Sequence, residues 1–311
     1  MIESQLKSGI SVVIPVYNSA QILPTLVERL ASVLPGLSGE FEVILVNDGS
    51  HDESWKVIQS LSAKHQWIRG VCLMRNFGQH NALLAGVRCA IHDIIVTLDD
   101  DLQNPPEEIL ALTSRLSDNV DLVYGIPMER QHQNWRNVCS AGVRLSLTPL
   151  IGQYNASVVS SFRAFRTNLR QAFEKYNDPF VSIDVLLTWG AHGVDSVKVR
   201  HDTRARGTSS YTIFKLASHA IAMLTGYSAF PLRLASFTGF AFVLFGIFIL
   251  FYVIGLYFIN KGSVPGFPFL ASIIALFSGA QLFAIGIIGE YLAKIHFRSM
   301  NRPAYIVAQR I

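Results

Sequence analysis

Cysteine and charge are both scarce in this chain. Only 3 of its 311 residues are cysteine. They are scattered without metal-ligand spacing, which favours a reducing compartment. Charged residues make up 15% of the sequence and apolar residues 50%, a high apolar share for a soluble protein of this length. The net charge is +4, but no basic helix interleaved with aromatic residues appears, so we expect no nucleic-acid partner.

Charge is missing altogether from two C-terminal stretches. Leu234 to Asn260 and Gly262 to Gly289 contain no Asp, Glu, Lys, Arg or His. Each exceeds the roughly 20 residues that cross a bilayer. We therefore expect two transmembrane helices within residues 233–291, joined by a short extracytoplasmic loop near 259–266. Lysine and arginine flank this region on both sides and only Lys261 lies between the spans, which predicts cytoplasmic ends in the inner (plasma) membrane.

Residues 10–126 alternate apolar strands with helical segments. The predicted strands are Ile10–Ile14, Phe41–Val46, Ile68–Leu73, Ile94–Leu98 and Leu122–Tyr124. Repeated units of this kind predict an α/β fold: a Rossmann-like, mostly parallel sheet with helices on both faces. Ligands of such sheets bind at the carboxyl ends of the strands. Polar clusters follow the strands at that edge, at Pro15–Asn18, Asn47–Ser50, Arg75–Gly78 and Thr97–Glu107.

Three consecutive acids, Asp99, Asp100 and Asp101, directly follow a buried strand. Adjacent carboxylates repel one another, and a divalent cation that takes oxygen ligands relieves that repulsion. On an extended backbone Asp99, Asp101 and Gln103 would share one face, so we expect them to hold a metal ion. The alternative is a solvated acidic turn with no ligand.

Two further segments carry basic residues. Ser161, Arg163 and Phe165 share one face of a predicted strand. The loop 201–211 combines arginines, hydroxyls and a glycine, as phosphate sites do. The alternative is an unspecific patch that contacts lipid headgroups. Residues 211–232 are interpreted as interfacial amphipathic helices and residues 292–311 as a cytoplasmic tail.

The ordered set of motifs resembles the inverting GT-A-type glycosyltransferases that charge a polyprenyl phosphate. That family includes dolichyl-phosphate mannose synthases, bactoprenol-phosphate glucosyltransferases and the undecaprenyl-phosphate formamido-arabinose transferase. The resemblance rests on Val12–Asn18, Asn47–Ser50, Arg75–His80, Thr97–Glu107, Ser161–Arg166, Gly279–Leu282, Gly289–Tyr291 and Asn301–Tyr305. It implies a GT-A domain over residues 1–210 that transfers a sugar from a nucleotide-sugar, such as a UDP-hexose, to a polyprenyl phosphate. It also implies Mg²⁺ or Mn²⁺ as cofactor, contact with membrane lipid and a homo-oligomer, such as a tetramer.

The resemblance assigns roles to individual residues. Catalysis would involve Asp101, Arg163 and Ser161. The nucleotide-sugar would contact Pro15, Tyr17, Asn18, Asp48, Gly49, Arg75, Asp99 and Asp100. The acceptor phosphate would be held by Arg130, Arg163, Arg204, Arg206 and Ser209, and the metal by Asp99, Asp101 and Gln103.

The sequence departs from the family pattern at three positions. Ser19 stands where the family usually has Glu, Ser210 replaces a Lys of the basic loop, and Ser161 replaces an Asp that is proposed as a base in several members. A phosphate monoester has a second pKa near 6 and arrives largely as a dianion, so its attack requires no general base.

Two other functions are compatible with parts of the pattern. One is a catalytically silent membrane adaptor that binds a nucleotide-sugar. The other is a processive polysaccharide synthase, which would carry a Gln-x-x-Arg-Trp motif, whereas Gln131–Trp135 lacks the arginine. The intact acids Asp99 and Asp101 and the two predicted spans favour the transferase.

Overall fold

The computed structural model describes residues 8–128, 158–202, 230–260 and 266–311. Contacts divide the chain into two compact units. The first unit carries the sheet and includes residues 301–311. The second unit carries the two long apolar helices.

An eight-stranded sheet is the framework of the first unit. Its strands are β1 Ile10–Val16, β2 Phe41–Asn47, β3 Ile68–Leu73, β4 Ile94–Thr97, β5 Leu122–Pro127, β6 Arg163–Arg166, β7 Val194–Val199 and β8 Val307–Arg310. The helices are α1 Leu23–Leu37, α2 Ser54–Lys64, α3 Gln79–Cys89, α4 Ile109–Thr113 and α5 Ile183–Thr188. In space the strands follow the order β7-β5-β6-β4-β1-β2-β3-β8.

One apolar core lies on each face of this sheet. Neighbouring residues of a strand point to opposite faces, so Val12 and Ile14 pack with Leu30 of α1 on one side. Val13 packs with Leu84 of α3 on the other side. The α/β fold with helices on both faces is therefore confirmed. Because β4, β1, β2 and β3 are parallel neighbours, their carboxyl ends meet at one edge.

Two antiparallel strands modify the expected parallel sheet. β6 lies between β4 and β5 and runs antiparallel to both. β8 comes from the predicted cytoplasmic tail and pairs antiparallel with β3, with Gln309 opposite Cys72. This pairing covers backbone groups of β3 that a sheet edge would leave open. Residues 301–311 of the predicted tail thus belong to the unit that contains the sheet.

The described part of the second unit consists of α6 Phe230–Asn260 and α7 Phe267–Ser299. Within them, Pro231–Tyr252 and Leu276–Ser299 are long and apolar enough to cross a membrane, as judged by length and composition. These two helices correspond to the predicted spans, although α7 continues beyond the predicted limit at residue 291.

Large apolar side chains on α6, such as Phe240, Phe248 and Phe251, are exposed. A helix that is apolar on all sides is typical of a membrane environment. The two helices contact each other, and the ring centroids of Phe242 and Phe277 lie 5.5 Å apart. Most of the predicted interfacial segment 211–232 and of the loop near 259–266 lies outside the described residues.

Candidate active site

The polar loops that follow β1, β2, β3 and β4 surround a cavity of about 240 Å³. It is lined by Pro15, Val16, Tyr17, Asp48, Asn76, Gly78, Gln79, Asp99, Asp100 and Asp101. The structure therefore brings together most of the residues predicted to contact a nucleotide-sugar. Of that set, Asn18, Gly49 and Arg75 belong to the same loops without being among the lining residues.

Asn18 and Gly49 shape the loops around this cavity. Both have a positive φ, 55° and 64° respectively, a conformation that asparagine tolerates and glycine adopts freely. The side-chain oxygen of Asn18 accepts a hydrogen bond from the His51 N–H at 2.8 Å. A Cβ on Gly49 would lie 2.4 Å from the carbonyl carbon of Arg75, so glycine allows two loops to touch. The Arg75 guanidinium is exposed and lies 4.6 Å from the ring centroid of Phe77.

Asp48 fixes the loop after β3. Its side chain is buried, with 3% of the residue exposed, and accepts hydrogen bonds from the N–H groups of Phe77 at 2.7 Å and Gly78 at 2.9 Å. Burial raises the pKa of the Asp48 carboxyl, and the two backbone hydrogen bonds oppose that rise. Asp48 also lines the cavity, so the same carboxylate holds the loop after β3 in place and borders the cavity.

The acidic run forms a turn. β4 ends at Thr97 and Leu102 has a φ of 61°, so the prediction that an extended backbone aligns the acids is wrong. Asp101 lines the cavity and accepts a hydrogen bond from the Gln103 N–H at 3.1 Å. Gln103 is not among the lining residues, and its role as a metal ligand stays a prediction.

Asp99 is oriented by two side chains. One carboxylate oxygen accepts the Ser161 hydroxyl at 2.5 Å, and the other accepts the Gln79 amide at 2.7 Å. With Asp101 it presents hard oxygen ligands to the cavity, the donor type that Mg²⁺ and Mn²⁺ prefer. The described residues contain no group of three or more His, Cys, Asp and Glu placed to hold a metal. Two carboxylates suit an ion that takes its remaining ligands from substrate phosphates and water.

Asp100 is the half-buried middle acid of the turn. Burial raises the pKa of its carboxyl to about 6, while hydrogen bonds from the Ser19 hydroxyl and the Tyr17 N–H act in the opposite direction. The neighbouring carboxylates Asp99 and Asp101 raise the pKa further. The Asp100 carboxylate thus joins the loop after β4 to the loop after β1.

Arg163 is buried in the core, and the prediction that it contacts the acceptor phosphate is wrong for this structure. Only 1% of it is exposed. The guanidinium forms an ion pair with Asp184, and its Nε donates to the Thr97 hydroxyl at 3.0 Å. The face shared with Phe165 points into the core, where Tyr124 also donates to Asp184 at 3.2 Å. Burial raises the pKa of the Tyr124 hydroxyl well above its usual value.

Most of the residues expected to hold the acceptor phosphate lie outside the described residues. They are Arg130, Arg204, Arg206 and Ser209. The first two residues of the basic loop, His201 and Asp202, are described, and they are joined to the acidic turn. The Asp202 N–H donates to the Gln103 carbonyl at 2.8 Å, and His201 Nδ1 lies 3.2 Å from Asn104 Oδ1.

Four lining residues had no assigned role at the sequence level: Val16, Asn76, Gly78 and Gln79. Asn76 and Gln79 are the two with polar side chains. Both lie in the motif that directly follows β3, so their position at the carboxyl edge was the available signal. The Gln79 contact with Asp99 links loops that are 20 residues apart, and no local pattern predicts such a contact.

The mixed α/β sheet, with two acids on the cavity wall at its carboxyl edge, has the architecture of a GT-A glycosyltransferase. The chain belongs to the family described as "Glycosyl transferase family 2", whose model matches residues 11–176.

Similar proteins extend this match over nearly the whole chain. The undecaprenyl-phosphate 4-deoxy-4-formamido-L-arabinose transferase of Pectobacterium atrosepticum is 33% identical over 306 residues, covering 97% of this chain and 94% of the relative. The transferase of the same name from Pseudomonas aeruginosa is 35% identical over 303 residues, covering 96% and 89%.

Solved structures share the fold of the first unit. The glucosyl-3-phosphoglycerate synthase of Mycobacterium tuberculosis, crystallised with Mn²⁺, uridine diphosphate and glucosyl-3-phosphoglycerate, superimposes with a TM-score of 0.56. It is 19% identical, and the match covers 71% of this chain and 80% of that protein.

Proposed function

We propose that this glycosyltransferase moves a sugar from a UDP-sugar to the phosphate of a membrane polyprenol, with one divalent cation, Mg²⁺ or Mn²⁺. The observation that carries the proposal is the pair Asp99 and Asp101 on the wall of a cavity at the carboxyl edge of the sheet. The names of the relatives support a polyprenyl phosphate as the acceptor. The sugar in those names is a formamido-arabinose, so substituted pentoses join hexoses as candidate donor sugars.

The donor would occupy the cavity between the loops. Asp99 and Asp101 would hold the cation, which neutralises charge on the leaving nucleoside diphosphate when it is bound. Tyr17 and Asp48 would contact the base and ribose, since both line the cavity. The structural neighbour bound to Mn²⁺ and uridine diphosphate shares this fold, which supports a donor of that kind.

The acceptor phosphate would be held by the basic loop. Arg204 follows Asp202 by two positions, and Asp202 is hydrogen-bonded to the acidic turn, which supports an acceptor site close to the metal. The two apolar helices support membrane attachment, where a long polyprenol presents its phosphate at the headgroup level. The inner membrane, a cytoplasmic sheet domain and a tetramer are further parts of the proposal.

The chemistry would be a single inverting displacement. An acceptor phosphate oxygen forms a bond to the anomeric carbon while the bond from that carbon to the diphosphate breaks, and the diphosphate leaves with the electron pair. The acceptor arrives as a dianion, so no side chain has to remove a proton. Ser161 donates its hydroxyl to Asp99, which suits a residue that orients a metal ligand better than one that acts as a base.

A donor screen with the full-length protein tests the proposal. Purified protein in detergent is given undecaprenyl phosphate, Mn²⁺ and UDP-linked hexoses or pentoses, and the lipid product is identified by mass spectrometry. We expect a lipid-phosphate-sugar with inverted configuration, formed only with polyprenyl phosphate and abolished by chelation. Equal transfer after complete chelation, or transfer only to an acceptor without a lipid phosphate, would overturn it.

A further inference from the structure

The loop between β1 and α1 is held by side chains from other loops. The backbone N–H groups of four consecutive residues, Tyr17 to Ala20, each donate to a side-chain oxygen. The acceptors are Asp100 at 3.2 Å, Ser50 at 3.0 Å, Ser54 at 2.9 Å and Asp52 at 3.1 Å. These bonds fix a segment whose second residue has left-handed backbone geometry.

Asp100 is the one acceptor of this set that comes from the acidic turn. The same Asp100 oxygen, Oδ2, accepts both the Tyr17 N–H and the Ser19 hydroxyl, the latter at 2.5 Å. Ser19 is buried, with 8% exposed, and its carbonyl accepts the N–H groups of Ile22 and of Leu23, the first residue of α1. Ser19 therefore connects the acidic turn to the start of a helix.

Tyr17 is the part of this loop that a ligand would meet. Its side chain lines the cavity and the residue is 44% exposed. A shift of the loop would move one wall of the cavity without altering the metal-facing acids. We propose that Ser19 and Asp100 are a matched pair of positioning residues. Together they fix the position of Tyr17 in the wall of the cavity where the donor nucleotide binds. The inference rests on the proposed function only in taking the donor to be a UDP-sugar.

Charge makes the pairing selective. A glutamate at position 19, the residue usual in the family that this chain resembles, would bring a second carboxylate against Asp100 Oδ2. Two carboxylates at hydrogen-bond distance in a partly desolvated site disfavour each other strongly. A serine donates one hydrogen bond there and adds no charge. The pair should therefore tolerate glutamate only when the Asp100 carboxylate is removed.

The test compares Ser19→Ala, Ser19→Glu, Asp100→Ala and the double variant Ser19→Glu/Asp100→Ala in the full-length protein. UDP affinity with Mn²⁺ is measured by calorimetry, and hydrogen exchange of residues 15–22 is measured without nucleotide. We expect Ser19→Ala to weaken UDP binding about threefold to tenfold and to speed exchange of this segment, as one lost hydrogen bond predicts. Ser19→Glu should weaken binding more than Ser19→Ala, and the double variant should bind better than Ser19→Glu.

Ser11→Ala is the matched control. Ser11 donates to the Glu42 carboxylate at 2.7 Å at the opposite end of β1, so its loss removes the same type of bond away from the cavity. It should leave both UDP affinity and exchange of residues 15–22 unchanged. Wild-type affinity for Ser19→Glu, or a double variant that binds no better than Ser19→Glu, would overturn the inference. The exchange measurement needs no substrate, so it separates this outcome from a failure of the proposed reaction.

Discussion

β2 carries a buried carboxylate near each of its ends, and the two are satisfied in different ways. At the amino end, Glu42 accepts the Ser11 hydroxyl and the Ile91 N–H and forms an ion pair with Arg69 at 2.8 Å. Just beyond the carboxyl end, Asp48 accepts two backbone N–H groups. Among the described residues Asp48 has neutral donors only, and it borders a cavity.

Glu42 and Asp48 therefore represent two roles of a buried acid, one that stabilises the sheet and one that borders the cavity. At the amino end an arginine compensates the charge, and the contact joins β2 to its neighbours in the sheet. At the carboxyl end the acids line the cavity, where under the proposed function a cation would compensate their charge only when the donor binds. Acids that are compensated by a ligand should therefore affect turnover, and acids that are compensated by arginine should affect stability.

The largest effect is expected from Asp101→Asn. Loss of one of two metal-facing carboxylates should lower the transfer rate by about 100-fold or more, because the charge on the leaving diphosphate is no longer balanced. The thermal unfolding midpoint should stay near that of the wild type. Initial rates at saturating donor and Mn²⁺, with a calorimetric scan of the same sample, measure both. Retention of more than a tenth of the wild-type rate would contradict the expectation that the acids facing the cavity affect turnover.

Arg163→Met tests whether Asp184, which pairs with an arginine as Glu42 does, also contributes to stability. It leaves Asp184 buried without its cation, which should lower the free energy of unfolding by about 3–5 kcal/mol. Thermal unfolding in detergent measures the loss, and Arg163→Met/Asp184→Leu should recover much of it. A specific rise in the KM for polyprenyl phosphate at unchanged stability would instead return Arg163 to the acceptor site.

Glu42→Gln tests whether the buried acid at the amino end of β2 contributes to stability. The amide keeps an acceptor but loses the charge that pairs with Arg69, so the free energy of unfolding should fall by about 1–3 kcal/mol. The rate per folded molecule should change by less than about twofold, since Glu42 lies at the opposite end of the strand from the cavity. Rates corrected for the folded fraction check this. A large loss of turnover in fully folded protein would show that the two ends are coupled.

Ser161→Ala should slow the reaction far less than Asp101→Asn does. It removes one hydrogen bond to Asp99 and leaves the one from Gln79, so we expect a rate loss of less than about tenfold and a higher Mn²⁺ requirement. Manganese titrations of the initial rate measure both quantities. A thousandfold loss with normal stability and an unchanged manganese requirement would identify Ser161 as a base and reject the base-free displacement.

Local pattern accounts for much of the fold and for part of the site. The apolar runs of β1 to β4 are short and bounded by polar turns, so strand existence and position follow from the sequence. Parallel strands place their carboxyl ends together, so the loops that carry Asp48 and Asp99 to Asp101 could be assigned to one edge. The direction of each acidic side chain could not be predicted, because the acids lie in a turn in which Leu102 has a left-handed backbone conformation, and not in an extended strand.

Neighbouring residues are enough to predict an α/β sheet, a polar carboxyl edge and two apolar helices, because burial period, strand direction and charge content are local properties. They do not show that β6 enters between β4 and β5, that residues 307–310 extend the sheet, or that Arg163 is in the core. Strand pairing and ion pairing join residues far apart in the chain, so these features follow from packing. Which acid meets Ser19 and which meets Ser161 depends on where those distant segments pack.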